Sequence, residues 1–76
     1  MKAFVLCKLT SGKEQTALAK IRGIKGVQDV HLTFGHWDVI LSAEADTLDK
    51  LSGLVVREIR AVGGVQDTET LVTTNL

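Results

Sequence analysis

The chain states one nine-residue phrase twice. Ile21-Arg22-Gly23-Ile24-Lys25-Gly26-Val27-Gln28-Asp29 aligns without gaps on Ile59-Arg60-Ala61-Val62-Gly63-Gly64-Val65-Gln66-Asp67, and six of the nine positions are identical. The copies lie 38 residues apart in a chain of 76, so each half restates the other. Two copies are too few for a solenoid, which needs at least about three stacked repeats to bury its core. The repeat therefore demands a fold built from two similar units related by a pseudo-two-fold axis.

Local patterns give the content of each unit. Ala3 to Leu9 is rich in strand formers and ends in Thr10-Ser11-Gly12, a turn cluster that can also cap a helix. From Lys13 to Arg22 the apolar residues Ala17, Leu18 and Ile21 fall at helical spacing, and Gly23 closes the segment. Strict alternation follows, with Val30, Leu32 and Phe34 on one face and Asp29, His31 and Thr33 on the other, as in a half-buried strand. Gly35-His36-Trp37 interrupts it as a short turn, and Val39 to Glu44 reads as the return strand of a hairpin. A second helix starts near Asp46-Thr47, either of which can cap it, and places Leu48, Leu51, Val55, Ile59 and Val62 on one stripe. Gly63-Gly64 stops that helix, and Asp67 to Thr74 forms the last strand.

The order is βαββαβ, and with the repeat it specifies a ferredoxin-like α+β fold. Strands one and three are apolar on both faces, whereas strands two and four mix polar and apolar positions. The first and third strands belong at the centre, giving a four-stranded antiparallel sheet of order 4-1-3-2 with two helices on one face. The opposite face keeps apolar side chains without a helix to cover them. Each aliphatic side chain buried there contributes roughly 1.5–3 kcal/mol, so a homodimer through sheet-to-sheet packing, a dimeric α/β-barrel, is expected.

Nine Lys plus Arg balance nine Asp plus Glu, which removes the basic footprint of a DNA-binding chain. No uncharged run is long and apolar enough to span a bilayer, and the amino terminus has no signal-peptide layout, so a cytoplasmic domain covering residues 1–76 is expected. The single cysteine cannot make an internal disulfide. With 45% hydrophobic and 4% aromatic residues, the core must be aliphatic. A domain this small buries only roughly 60% of its unfolded surface, another reason to associate.

Chemistry-bearing residues are few. His31, His36 and Asp38 lack the further ligands that a metal site needs, and Cys7, in mid-strand, reads as a core residue. There is no Ser-His-Asp order, phosphate loop or dinucleotide fingerprint, so neither catalysis nor a cofactor is expected. Two features remain. The hairpin Gly35-His36-Trp37-Asp38 gathers the only Trp with a His and an Asp, which can meet a small zwitterion or a second subunit or can simply cover a core edge. Thr68, Thr70, Thr73 and Thr74 are either β-branched edge residues or hydroxyls for a polar ligand.

At the hairpin the sequence resembles the effector-binding RAM domain of the Lrp/AsnC feast/famine regulators. The resemblance rests on the opening strand Ala3-Phe4-Val5-Leu6, on Gly35-His36-Trp37-Asp38-Val39-Ile40-Leu41, and on Gly64-Val65-Gln66-Asp67-Thr68-Glu69-Thr70-Leu71. It runs through essentially the whole chain, and Trp37 stands where the family more often has Tyr or Phe. The chain begins at the first strand of that domain, which implies the stand-alone type without the helix-turn-helix half. The resemblance further implies sheet-to-sheet dimers assembled into an octamer or decamer ring, with amino acids or similar effectors bound between dimers. By position the ligand residues are Gly35, His36, Trp37, Asp38, Thr68 and Thr70. Full-length regulators of the family are the implied partners, without direct DNA binding. An ACT-like amino-acid-binding domain, or a dimeric α/β-barrel protein of other function, is the alternative; RNA binding is disfavoured because the central strands lack exposed aromatics.

Overall fold

Ala3, Val5, Cys7 and Leu9 alternate with Lys2, Phe4, Leu6 and Lys8 along the first strand, and that alternation decides which side of the sheet is covered. In the structure, a computed structural model that describes residues 1–74, the first set is buried and the second is not. The elements are β1 (Lys2–Leu9), α1 (Glu14–Arg22), β2 (Val27–Leu32), β3 (Val39–Glu44), α2 (Leu48–Gly53), which runs on into a π-helical turn (Leu54–Ile59), and β4 (Val65–Val72). The sheet order is β2-β3-β1-β4 with every pair antiparallel, the ferredoxin-like arrangement that the repeat requires.

Register fixes the faces. Val5 pairs with Leu41 and Cys7 with Val39, so Val39, Leu41 and Ala43 share the covered side with the odd residues of β1. Ala17 and Ile21 of α1, Leu51 of α2, and Val55 and Ile59 of the π-helical turn pack onto them in one buried cluster, which places both helices on the same face. The other face carries Phe4, Leu6, Ile40 and Leu71, with Phe4 38% and Leu71 50% exposed.

The repeat maps onto equivalent structural positions. Ile21 and Ile59 are both fully buried, and Val27 and Val65 both open edge strands. Gly26 and Gly64 both take the left-handed conformation, at φ 98° and 100°, that turns each helix exit into its strand. A bulge lies just after each copy's valine: the β2–β3 register shifts between Gln28 and His31, and the β1–β4 register shifts between Lys8 and Leu9, opposite Gln66.

The first bulge corrects one expectation. Asp29 adopts φ 44°, so alternation is lost between Gln28 and His31. Phe34 lies beyond the strand and is fully exposed, Leu32 is 61% exposed, and only Val30 packs against the core. Three smaller differences concern the helices. Thr10-Ser11-Gly12 supplies no side-chain cap to α1; the Gly12 N–H instead donates to Glu14 Oε1 at 2.8 Å. Thr47, not Asp46, caps α2, accepting the Lys50 N–H at 3.2 Å. Leu48 lies off the buried stripe, because the stripe runs Leu51, Val55, Ile59 at intervals of four, the spacing that a wider turn aligns. The Arg60 N–H closes that turn on Val55 O, five residues back, at 2.9 Å.

Candidate functional site

The hairpin between β2 and β3 is fastened by its own polar groups. Thr33 donates through its N–H to Asp38 O at 2.9 Å and through Oγ1 to Trp37 O at 2.7 Å. Gly35, at φ 131°, allows the reversal. The loop is then tied to β1: the Asp38 N–H donates to Cys7 O at 2.9 Å, and Asp38 Oδ2 accepts the Leu9 N–H at 2.7 Å. Lys8 Nζ reaches His36 O at 3.3 Å. The rings of His36 and Trp37 meet edge to face with centroids 5.0 Å apart. Gly35 and His36 are exposed, and Trp37 and Asp38 are half-buried. One Asp38 oxygen therefore serves the sheet, while Oδ1 has no hydrogen-bond partner among the described residues.

The threonines lie elsewhere on the sheet. Thr68 pairs with Cys7, Thr70 with Val5 and Val72 with Ala3, so all three share the helix-covered face. Because β4 is an edge strand, the helices do not fully cover it. A groove of about 330 Å³ runs between β4 and the helix formed by α2 and its π-helical turn. Thr68, Thr70 and Val72 form its strand side; Leu51, Val55 and Arg60 are among the residues of its helix side. Leu48, Val56 and Val72, all on the groove, are 54%, 52% and 44% exposed.

Within one chain the six residues singled out by sequence fall into two groups. Thr68 and Thr70 line the groove; Gly35, His36, Trp37 and Asp38 do not. Both groups lie toward the end of the sheet where Cys7 pairs with Val39 on one side and Thr68 on the other. Arg60 was not singled out by sequence. It borders the groove and also an adjoining cleft of about 120 Å³ with Val65, Gln66, Asp67 and Thr68. Its place in the internal repeat, opposite Arg22, hides it, since the repeat explains an arginine there without any ligand. A broader depression of about 740 Å³ along α2 holds Asp49, Lys50, Arg57 and Glu58 and none of the six residues.

Chemical reactivity is sparse at these positions. Cys7 is fully buried in the core, and burial pushes its thiol up to about 11. Among the described residues no group of three or more His, Cys, Asp or Glu is placed to hold a metal ion, and no helix is long and apolar enough to cross a membrane. The arrangement suits recognition: hydroxyls and a guanidinium beside an aliphatic trough, and a fastened hairpin that projects an imidazole.

The sequence and the fold both have known relatives. Residues 2–75 match the family model described as the Lrp/AsnC ligand binding domain. An uncharacterised HTH-type transcriptional regulator of Pyrococcus horikoshii is 36% identical over 73 residues, 92% of this chain but 49% of the relative. The chain thus spans about half the length of the curated relatives it matches. In structure it is similar to FFRP-DM1, with a TM-score of 0.90 and 29% identity over 96% of this chain and 97% of the other. It also shares the fold of a Neisseria meningitidis transcriptional regulator solved as a complex with L-Met, at TM-score 0.87 and 21% identity, covering 97% of this chain and 49% of that one.

Proposed function

Because the chain belongs to the family of the Lrp/AsnC ligand-binding domain, we propose that residues 1–76 act as one cytoplasmic module that binds an amino acid or related effector and assembles with copies of itself. Through that assembly it modulates transcription regulators of the same family. The carrying observation is the groove of about 330 Å³ whose strand side presents Thr68 and Thr70. A half-open groove on a single chain leaves a ligand wet on one side. A second chain that brings its hairpin over the groove would close it, supplying Gly35, His36, Trp37 and Asp38 from the neighbouring dimer. Asp38 Oδ1, without a hydrogen-bond partner among the described residues, is then the acceptor for an ammonium group, and the threonine hydroxyls serve the ligand's polar atoms. In this reading the module needs no cofactor and performs no catalysis: its one thiol is buried and protonated.

The matched relatives are named as transcriptional regulators, and the L-Met complex of the Neisseria protein makes amino acids the first ligands to try. Calorimetry with each common amino acid on wild type and Thr70→Val, combined with light scattering, tests the reading. At least one ligand should release heat and change the assembly mass, and Thr70→Val should weaken it. Absence of heat with every ligand, together with a mass that never exceeds a dimer, overturns it.

A further inference from the structure

The two edges of the sheet are protected to different degrees. β2 is interrupted by the bulge at Asp29, whereas β4 pairs with β1 in unbroken register from Asp67 to Val72. β4 also carries no Lys or Pro, residues that commonly blunt an exposed edge. One hydrogen bond shows which of its backbone groups are spent. The Thr73 N–H donates to Lys2 O at 2.9 Å, so by alternation Leu71, Glu69 and Asp67 turn their backbone groups toward β1, while Val72, Thr70 and Thr68 turn theirs outward. Asp67 Oδ1 accepts the Thr68 N–H at 2.8 Å. The N–H and C=O groups of Thr70 and Val72 have no partner among the described residues.

The residues with outward backbone groups are also those whose side chains face the groove. An unpaired ladder and an apolar trough therefore run side by side, the combination that an added strand uses. Alternate side chains of such a strand would lie on Leu48, Val55 and Val56. Charge selects which of its faces turns inward. Arg60 borders the groove, Glu69 stands on the opposite face across from Leu6, and neither has an ion-pair partner among the described residues. A strand with aliphatic residues at alternate positions and a basic residue between them suits both: Arg60 keeps the cation out of the groove, and Glu69 meets it on the other face. Two β4 edges would instead bring acidic faces together, since β4 holds Asp67 and Glu69 and no cation.

We propose that the outer edge of β4 docks an extended segment of another protein, with alternating aliphatic and basic side chains, as a fifth strand of the sheet. The site shares the groove with the effector reading but rests on the backbone of Thr70 and Val72, not on that reading.

Fluorescence anisotropy with the full chain and a labelled, end-capped hexapeptide, Val-Thr-Val-Lys-Val-Thr, tests it. The peptide should bind, and the composition-matched Val-Val-Val-Thr-Thr-Lys should bind about tenfold more weakly or worse. N-methylation of the valines, whose N–H groups would face β4, should weaken binding about tenfold or more, while N-methylation of the intervening residues should change it less than about twofold. Glu69→Lys should weaken the lysine peptide about threefold and favour the peptide with Glu in place of Lys by a similar factor. Equal affinity of the two methylated forms, equal affinity of the alternating and blocked peptides, or no binding at millimolar peptide overturns the proposal. A lower assembly mass with peptide bound, read by light scattering, assigns the edge to a second copy and overturns it too. The effector reading is judged separately, because a free amino acid offers no ladder: heat with one sustains that reading even if every peptide fails, and its absence leaves the strand edge standing if the methylation split is seen.

Discussion

At the scale of single residues, burial determines chemistry most plainly at Cys7. The side chain is fully enclosed between the central strands and the helices, and its thiol is pushed from 9.0 to about 11 by loss of solvent around the thiolate. Below pH 9 the thiol is protonated in folded and unfolded chains alike, so it adds no pH dependence there. Between pH 9 and about 11 the unfolded chain releases the proton while the folded chain keeps it, so stability falls as pH rises through that window. The loss should be of order 2 kcal/mol by the upper end. Urea unfolding of wild type and Cys7→Ala at several pH values checks it: the gap between the two should narrow above pH 9, and a gap constant to pH 11 contradicts it. Asp38 shows the opposite economy. Its carboxylate is read in the sequence as a ligand group, yet Oδ2 already holds the Leu9 N–H at the bulged end of β1, so only half of the group is free for a ligand.

At the scale of elements, the repeat carried the reading of the fold, and its failures are equally local. It marks both helix exits because Gly26 and Gly64 sit where the chain turns at positive φ and a neighbour crowds the Cα. At Gly64 an added Cβ would lie 3.1 Å from Lys13 Cβ and 3.2 Å from Ala17 Cβ, and Ala17 is fully buried and has no room to yield. Gly64→Ala should therefore cost about 1–3 kcal/mol, part backbone strain and part overpacking of α1. Gly63→Ala, where nothing lies within 4 Å, should stay within about 0.5 kcal/mol of wild type. Denaturant midpoints of the two variants separate a steric requirement from a general preference for glycine. What the repeat and the alternation could not reveal is the bulge. Val30, Leu32 and Phe34 look like one face only if the strand is regular, and Asp29 at φ 44° ends that regularity. The groove was half legible for a related reason. Thr68 and Thr70 stand out as hydroxyls on one face of one strand, but Arg60 joins them only because the end of the π-helical turn and β4 border the same groove, which no local pattern encodes.

At the scale of the whole molecule, the uncovered side of the sheet poses the main question. Phe4 and Leu71 are cross-strand partners, as are Leu6 and Ile40, so the four form a continuous apolar patch over the two central strands and β4. Lys2, Lys8, Glu44, Asp67 and Glu69 surround it on the same face, an apolar centre with a charged rim of both signs. A chain of 76 residues has little core to spare, and a second copy facing this patch adds burial without new sequence. Two-fold symmetry makes each substitution count twice. Leu71 is half exposed on an edge strand, so Leu71→Glu should leave the protomer folded while placing two carboxylates against apolar surface in the pair. At about 1.5–3 kcal/mol per buried leucine, the dimer should lose about 3–6 kcal/mol, a hundredfold or more in dissociation constant. Sedimentation equilibrium would read a dimer or larger for wild type and a monomer at the same concentration for Leu71→Glu, with unchanged far-ultraviolet circular dichroism. An unchanged mass would mean that the sheets do not face each other, and that the patch around Phe4 is covered in some other way or left in water.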